Sequence, residues 1–487
     1  MNHKSINRII LGLGAGLLLL QSCTKGFESL NQDPTKATDI TPSEIITGVE
    51  KSASDIVYNN SVNGSLGMLY AQFYSQTQKE SSSQYQLDEG SNNVIWSLYS
   101  APLSNIAEII RLNAVKPEPG AENENAIAGI LSVWIYQILT DVYGDVPYSQ
   151  SLAGGKNLTP EYDGSKAIYD SLVQRLDVNI QALDSAKPSF PTGELIYNGD
   201  VTKWKRLANS LKLRLGIRMA DAEPAKSKKI IQEAVTAGVM SSADDEAKFP
   251  YLATPPDQFP FNEEKGTGIP NDFQVTETLV NFLKETGDPR LSIYARPATD
   301  NNDYVGKPYG LGSFEGGFGA FSYPGTAVYS PTFPGYIMSY TEVAFILAEA
   351  AQRGCSVGGT AEHFYQEGVT ASMQFWGVSE ADTKAFLAKN PYNASKWKDV
   401  IGTQKWLALY NQGLQAWFER VRLDFKKPDG SPLFVAPAQS LDPSVKLVPY
   451  RLTYPISEKS NNNTHYNSAI EKLGGTDSKG IHLWWQK

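Results

Sequence analysis

A chain of 487 residues with 43 lysines and arginines against 52 aspartates and glutamates carries a net charge of −9 and is long enough to bury a large core in one domain or two. The acidic balance excludes nucleic acid as the expected partner, because phosphate binding needs a basic face. Two cysteines and four histidines leave little material for a disulfide framework or a histidine-based metal or acid–base site.

Lys4 and Arg8 precede an apolar run from Ile9 to Leu20 that closes on Leu20-Gln21-Ser22-Cys23. A basic start followed by an apolar segment too short to span a bilayer is the pattern of a secretory signal, and cysteine at the cleavage point makes it a lipoprotein signal. Residues 1–22 are therefore expected to be removed and Cys23 to be lipidated, each buried methylene of the acyl chains contributing about 0.8 kcal/mol of membrane attachment. With Cys23 consumed, Cys355 has no partner for a disulfide. No later stretch approaches 18 apolar residues, so the lipid is the expected membrane contact. Residues 23–40 are polar with one apolar anchor, Phe27, and read as a lipidated tether to a single domain over 41–487.

That domain opens on Thr41-Pro42-Ser43-Glu44, an N-cap, a proline at the first helical position and an acid in the first turn. Helical periodicity then recurs through 43–58, 65–79, 98–114, 124–142, 165–183 and 202–220. Small residues at Ala126, Gly129 and Ser132, and again at Ala344, Ala348 and Ala351, let helices approach closely, as stacked helical repeats require. The expected fold is all-α, with repeat-type helices mainly in 41–240 and 338–424 and a loop-rich region over 249–336. The end, 443–487, reads as short extended pieces and turns.

Several constellations carry candidate chemistry. Gly354-Cys355-Ser356-Val357-Gly358 fits the pattern of a serine hydrolase elbow, but it follows an Ala/Glu-rich helical stretch, where Gly354 reads as a helix-ending glycine. His363 and Glu367 share a helix face without a third ligand, and Asp300-Asn301-Asn302-Asp303 lacks the spaced acids of a calcium loop, so neither a metal nor a cofactor is expected. Asp244-Asp245-Glu246 and Glu263-Glu264 are acidic loop clusters that could contain a carboxylate pair for glycoside cleavage. Aromatics reach 11% and gather in a Gly-rich tract from Tyr304 to Tyr336, where rings with a polar rim suit sugar faces or peptide side chains. The candidate ligand contacts are Tyr85 and Trp96, which flank a polar loop, and Tyr309, Phe314, Tyr323 and Tyr329.

A series of segments in order then carries a resemblance. Phe27 with Leu30-Asn31 and Asp33-Pro34, the turn Asp141-Val142-Tyr143-Gly144-Asp145-Val146-Pro147-Tyr148 and the helix Trp204-Lys205-Arg206-Leu207-Ala208-Asn209-Ser210-Leu211 come first. Met338 to Ala350, Gln404 to Tyr410, Gln415 to Glu419, then Arg451, Tyr454-Pro455, Glu458 and Asn461, and finally Trp484-Trp485, complete it. Together they resemble the SusD/RagB-like nutrient-binding lipoproteins of the Bacteroidetes outer membrane, in their second SusD-like branch. Arg420-Val421-Arg422-Leu423-Asp424 departs from the family's usual turn, and the 304–336 tract matches no fixed family pattern. Most of these segments also read as core helices, with Arg206, Asn209 and Glu349 expected in buried polar bonds.

The resemblance implies four TPR-like helix pairs with the loop-rich remainder packed against them. It also implies a non-enzymatic role: binding an oligosaccharide or peptide as the surface lid of a SusC-like TonB-dependent transporter barrel, on the outer membrane and facing the cell exterior. The alternatives are a surface hydrolase using Ser356 or a loop carboxylate pair, and a purely structural subunit.

Overall fold

The computed structural model describes residues 40–78, 80–261, 272–312 and 317–486. The signal segment, Cys23, the tether up to residue 39, Glu263-Glu264 and Phe314 lie outside the described residues. Residues Pro42–Lys487 form one compact unit.

Helices dominate it, in the following chain order: α1 Pro42–Tyr58, α2 Glu89–Trp96, α3 Ser104–Val115, α4 Ala121–Tyr143, α5 Ser165–Ala182, α6 Val201–Arg218 and α7 Pro224–Ala237. After the loop-rich stretch come α8 Glu277–Thr286 and α9 Leu291–Tyr294, then α10 Tyr340–Gln352, α11 Ala361–Phe375, α12 Glu380–Lys389, α13 Trp397–Ala408, α14 Gly413–Leu423, α15 Ile456–Asn461 and α16 Asn463–Lys472. The pairs α1/α3, α4/α5, α6/α7 and α10/α11 stack in that order, and α13/α14 packs on the last of them. This is the expected all-α scaffold of helix pairs.

The pairs close over small residues. A Cβ on Gly129 would meet Asn179 at 2.4 Å across α4/α5, one on Gly216 would meet Ile231 at 2.9 Å across α6/α7, and one on Gly368 would meet Phe345 at 2.9 Å across α10/α11. Ser132, one turn after Gly129, takes a hydrogen bond from Arg175 of α5. Helix α4 has the length and hydropathy of a membrane span, yet all of that window is buried inside the protein. Its apolar surface is consumed by the core on every side, as expected of a central helix.

Two expectations fail. Residues 65–79 do not continue a helix. A π-helical turn over Asn60–Met68 leads into strand β1, Tyr74–Gln76, which pairs antiparallel with β5, Phe273–Val275. Local periodicity cannot register a partner some 200 residues away, and the pairing overrides it. In the C-terminal segment, α15 and α16 replace the expected extended pieces. The remaining strands form two further two-stranded ribbons, β2 (Val146–Pro147) with β3 (Tyr162–Asp163) and β4 (Ala247–Phe249) with β6 (Gly335–Met338).

Buried charge ties the helix pairs together. Arg422 of α14 binds Glu349 of α10 at 2.6 Å and Glu419 of its own helix at 2.6 Å. Glu419 also receives Arg218 of α6 at 2.9 Å and Lys405 of α13 at 3.0 Å. Arg218 reaches back to Asp141 of α4 at 3.5 Å, and Arg214 of α6 grips Glu342 of α10 with two bonds of 2.8 and 2.6 Å. All these side chains are at most 2% exposed. Burial opposes the charge of Glu419, but Arg422, Lys405 and Arg218 outweigh it and hold the carboxyl well below its ordinary range. Asp141 is less well served, and burial pushes it up to about 6 against the pull of Arg218 and Tyr169. Arg422→Met should therefore destabilise the protein by about 3–5 kcal/mol, since it leaves Glu349 and Glu419 short of their partner. A urea midpoint within experimental error of wild type would refute this.

A second buried cluster lacks a cation. Glu50 of α1 accepts Leu195 N–H at 2.9 Å, while Glu194 accepts Tyr197 N–H, Gly199 N–H and the Trp204 indole N–H at 2.8, 2.6 and 3.0 Å. Burial, and then the neighbouring Glu194 carboxyl, push the Glu50 pKa well above its ordinary value. A raised carboxyl pKa gives stability that is whole below about 4.3 and is lost as pH rises through the folded value. Glu50→Gln carries no such loss. Its stability relative to wild type should rise between pH 4.5 and pH 8, so the unfolding free energy of variant minus wild type from urea unfolding should be more positive at pH 8; a more negative difference would contradict it.

Candidate ligand-binding site

Trp96 ends α2, whose N-terminus is capped by Asp88 accepting Ser91 N–H at 3.0 Å. Its ring is held at 5.1 Å from Tyr99 and edge-on to Tyr143 at 5.1 Å, so it is half-buried and rigid. Tyr99 donates to the carbonyl of Pro147 at 2.6 Å and pins the end of the Gly144–Pro147 turn, while Tyr454 donates to the Asp145 carbonyl at 2.8 Å. Between these elements and α15 lies a cleft of about 200 Å³. Trp96, Tyr99, Pro147 and Pro160 form its apolar side, and Leu152 and Leu158 its rim. Leu158 is 81% exposed and Leu152, at a left-handed φ of 62°, is 37% exposed.

The other end of the cleft is polar, lined by Ser151, Glu458, Asn461 and Asn462. Burial, and then Glu458, push the Tyr162 hydroxyl above its ordinary range, so it stays protonated and donates to Glu458 at 2.6 Å. Asn462 is 4% exposed and donates to the Pro160 carbonyl at 2.8 Å. Its Oδ1 is buried with no hydrogen-bond partner among the described residues. Such an acceptor is costly unless water or a ligand donor satisfies it. Aromatic faces beside amide and carboxylate acceptors suit an amphipathic, hydroxyl-bearing ligand.

Of the aromatic candidates among the described residues, only Trp96 lines this cleft. Tyr323 is buried, 8% exposed, with the Arg296 guanidinium 5.5 Å over its ring, and Tyr329 is half-buried. Tyr323 donates to the Phe318 carbonyl at 3.0 Å, Tyr329 stacks on Phe261 at 5.1 Å, and Phe318 is 45% exposed. Tyr85 and Tyr309 are not surface rings. They are 0% and 1% exposed, with ring centroids 6.0 Å apart, and the Tyr85 hydroxyl donates to the Leu447 carbonyl at 2.5 Å. The reason is the polar loop between Gln76 and Gln86, which folds inward. Gln76 Oε1 accepts Ser82 and Ser83 N–H at 3.2 Å, and Gln84 donates to the Gly310 carbonyl at 3.1 Å, so buried polar groups satisfy one another. Tyr99, Tyr162 and Asn462 escaped sequence reasoning; the signal present was Tyr99 three residues after Trp96, a spacing that puts two rings side by side.

The hydrolase constellation is a helix end. Gly354 sits at φ 78° after α10, Cys355 N–H bonds back to Ala350 O at 2.9 Å, and Ser356 is exposed beyond it, without the strand-to-helix turn of a nucleophile elbow. His363 and Glu367 lie 3.4 Å apart on an exposed face. Asp303 accepts Tyr304 N–H at 2.7 Å and pairs with Lys284 at 3.2 Å, making 300–303 a turn.

The sequence model of a family described as starch-binding and associating with the outer membrane matches residues 34–455. The chain belongs to the SusD-like family. Among solved structures, this SusD-like chain superposes on a chitin-binding protein with a TM-score of 0.82 at 30% identity, covering 92% of this chain and 100% of that one. A SusD homolog from Bacteroides uniformis gives 0.80 at 24% identity, covering 92% and 100%. A chitin-binding SusD homolog from Flavobacterium johnsoniae gives 0.78 at 24% identity, covering 91% and 97%. No curated protein matches the chain.

Within this SusD-like fold Tyr85 is a core residue, so Tyr85→Phe should cost about 0.5–1.5 kcal/mol of stability through the lost bond to Leu447. Ligand affinity should not change; a fall in affinity without a fall in melting temperature would return Tyr85 to the binding surface.

Proposed function

We propose that this SusD-like protein captures an oligosaccharide at the outer membrane and passes it to a TonB-dependent transporter barrel of the SusC-like class, which it covers as a lid. The observation that carries the glycan reading is the similarity, over nearly the whole chain, to a chitin-binding protein at 30% identity. The Trp96 cleft supports it with a rigid ring for a sugar face and unsatisfied or exposed acceptors for its hydroxyls and amides. The outer-membrane setting follows the family description, and attachment through lipid on Cys23 follows the sequence signal. Capture needs modest affinity, since a ligand held too tightly is not released to the transporter.

The test is calorimetric titration of residues 24–487 with chitooligosaccharides, maltooligosaccharides and short peptides. Binding of one glycan series is expected, and Trp96→Ala should weaken it about 3- to 10-fold, the worth of one aromatic contact. Peptide binding with no glycan binding would replace the oligosaccharide reading, and release of sugar fragments by the purified protein would replace the binding role with hydrolysis. Cys23→Ala should move the protein from the membrane fraction to the soluble one, and pull-down of the wild type from detergent-solubilised membranes should bring a large barrel with it.

A further inference from the structure

The acidic triplet Asp244-Asp245-Glu246 divides its carboxylates among three settings. Asp245 is 2% exposed, bound by Arg206 at 2.5 Å and by Ser241. Glu246 is nearly buried and accepts Tyr340 N–H at 3.2 Å, the Tyr336 hydroxyl at 3.2 Å and Lys248 at 3.3 Å. Asp244 is exposed, and Lys203 bonds its backbone carbonyl at 2.9 Å. Asp244 and Glu246 line a cleft of about 510 Å³ together with Tyr340 of α10 and Gln374 and Phe375 of α11.

Phe375 is the unusual member. It is 43% exposed, yet its ring is clamped by Tyr336 at 5.8 Å, Phe333 at 6.0 Å and Trp376 at 5.0 Å, each nearly perpendicular to it. A large ring held open to water without rotational freedom is a preorganised platform, and no ordering cost remains to be met on binding. Around it stand the exposed Asp244 carboxylate and the Gln374 amide, both able to accept from hydroxyls, while Glu246 is already engaged by Lys248, Tyr336 and Tyr340. Acceptors without a free cation disfavour an anionic ligand. A ring for the C–H face with a carboxylate and an amide for adjacent hydroxyls suits a neutral pyranose, and the volume lies in the range of small-ligand sites.

We infer that the cleft between the 242–248 turn and Phe375 is a second saccharide-binding site, separate from the Trp96 cleft and specific for neutral pyranose units. It gives the protein two points of attachment to a long glycan, so that a polymer bound at one is held at high effective concentration for the other.

The experiment is calorimetric titration of residues 24–487 with chitohexaose, maltohexaose and cellohexaose, on wild type, Phe375→Ala, Asp244→Asn, Trp96→Ala and Phe375→Trp. Wild type should bind with two sites per chain. Phe375→Ala should remove one of them, Asp244→Asn should weaken the same site at least about tenfold, and Trp96→Ala should spare it. Phe375→Trp should retain the site and report it as a shift in tryptophan emission, which guards against a fold defect in the alanine variant. Unchanged stoichiometry and affinity in Phe375→Ala, or an unresponsive Phe375→Trp at saturating sugar, overturns the inference while leaving glycan capture intact whenever Trp96→Ala weakens binding. Absence of binding to all three sugars in every variant overturns the second site, and one remaining site in each of Phe375→Ala and Trp96→Ala confirms that the two are independent.

Discussion

Arg422 lies at the centre of the constraint on which this structure depends. A guanidinium without solvent must find carboxylates, and those carboxylates must find further cations, or each costs several kcal/mol. Glu349, Glu419, Arg218 and Lys405 meet that demand from four helices that are distant in sequence. Apolar packing alone would tolerate a slip of one helix along another. A chain of bidentate and shared ion pairs does not, because a shift of one residue would strand charge. The network therefore selects the order and register of α6, α10, α13 and α14, while hydrophobic burial supplies most of the driving force.

The scaffold so fixed carries its proposed recognition surfaces on what connects and covers the helix pairs. The Trp96 cleft draws on α2, on the turn after α4, on the loop before β3 and on α15, the last lying more than 350 residues from the first. Its stiffness comes from tyrosine hydroxyls bonded to backbone carbonyls, at Tyr99 to Pro147 and Tyr454 to Asp145, which brace the turn leading into the short β2–β3 ribbon. Recognition here needs rigid rings, and the surrounding aromatic contacts provide them without burying the exposed face of Trp96.

Much of the fold was legible because helix periodicity and small-residue crossings are local signals. The expected polar bonds of Asn209 and Glu349 are present in the core, Asn209 donating to the Gly238 carbonyl at 3.1 Å and Glu349 pairing with Arg422. Arg206 reaches a buried partner, Asp245, from a side chain that itself remains 43% exposed. The departure at Arg420–Asp424 ends α14 inside the buried ion network, with Arg420 donating to the Tyr70 carbonyl at 2.5 Å, Arg422 pairing with Glu349 and Asp424 closing α14 in a left-handed conformation. Site residues were harder to read. Tyr85 and Trp96 look alike in sequence, each an aromatic beside polar residues, but one loop folds inward and the other ring borders open space.

The chain's order of residues was sufficient for the helix pairs, for the family and for Gly354 as a helix end, because each depends on neighbours within a few turns or on a run of matched motifs. Only the tertiary structure decided which rings face water, that residues 74–76 form a strand, and that Asp244, Asp245 and Glu246 serve different ends. Those outcomes depend on partners contributed from distant parts of the chain, and burial, strand pairing and charge compensation are properties of the assembled set rather than of any segment.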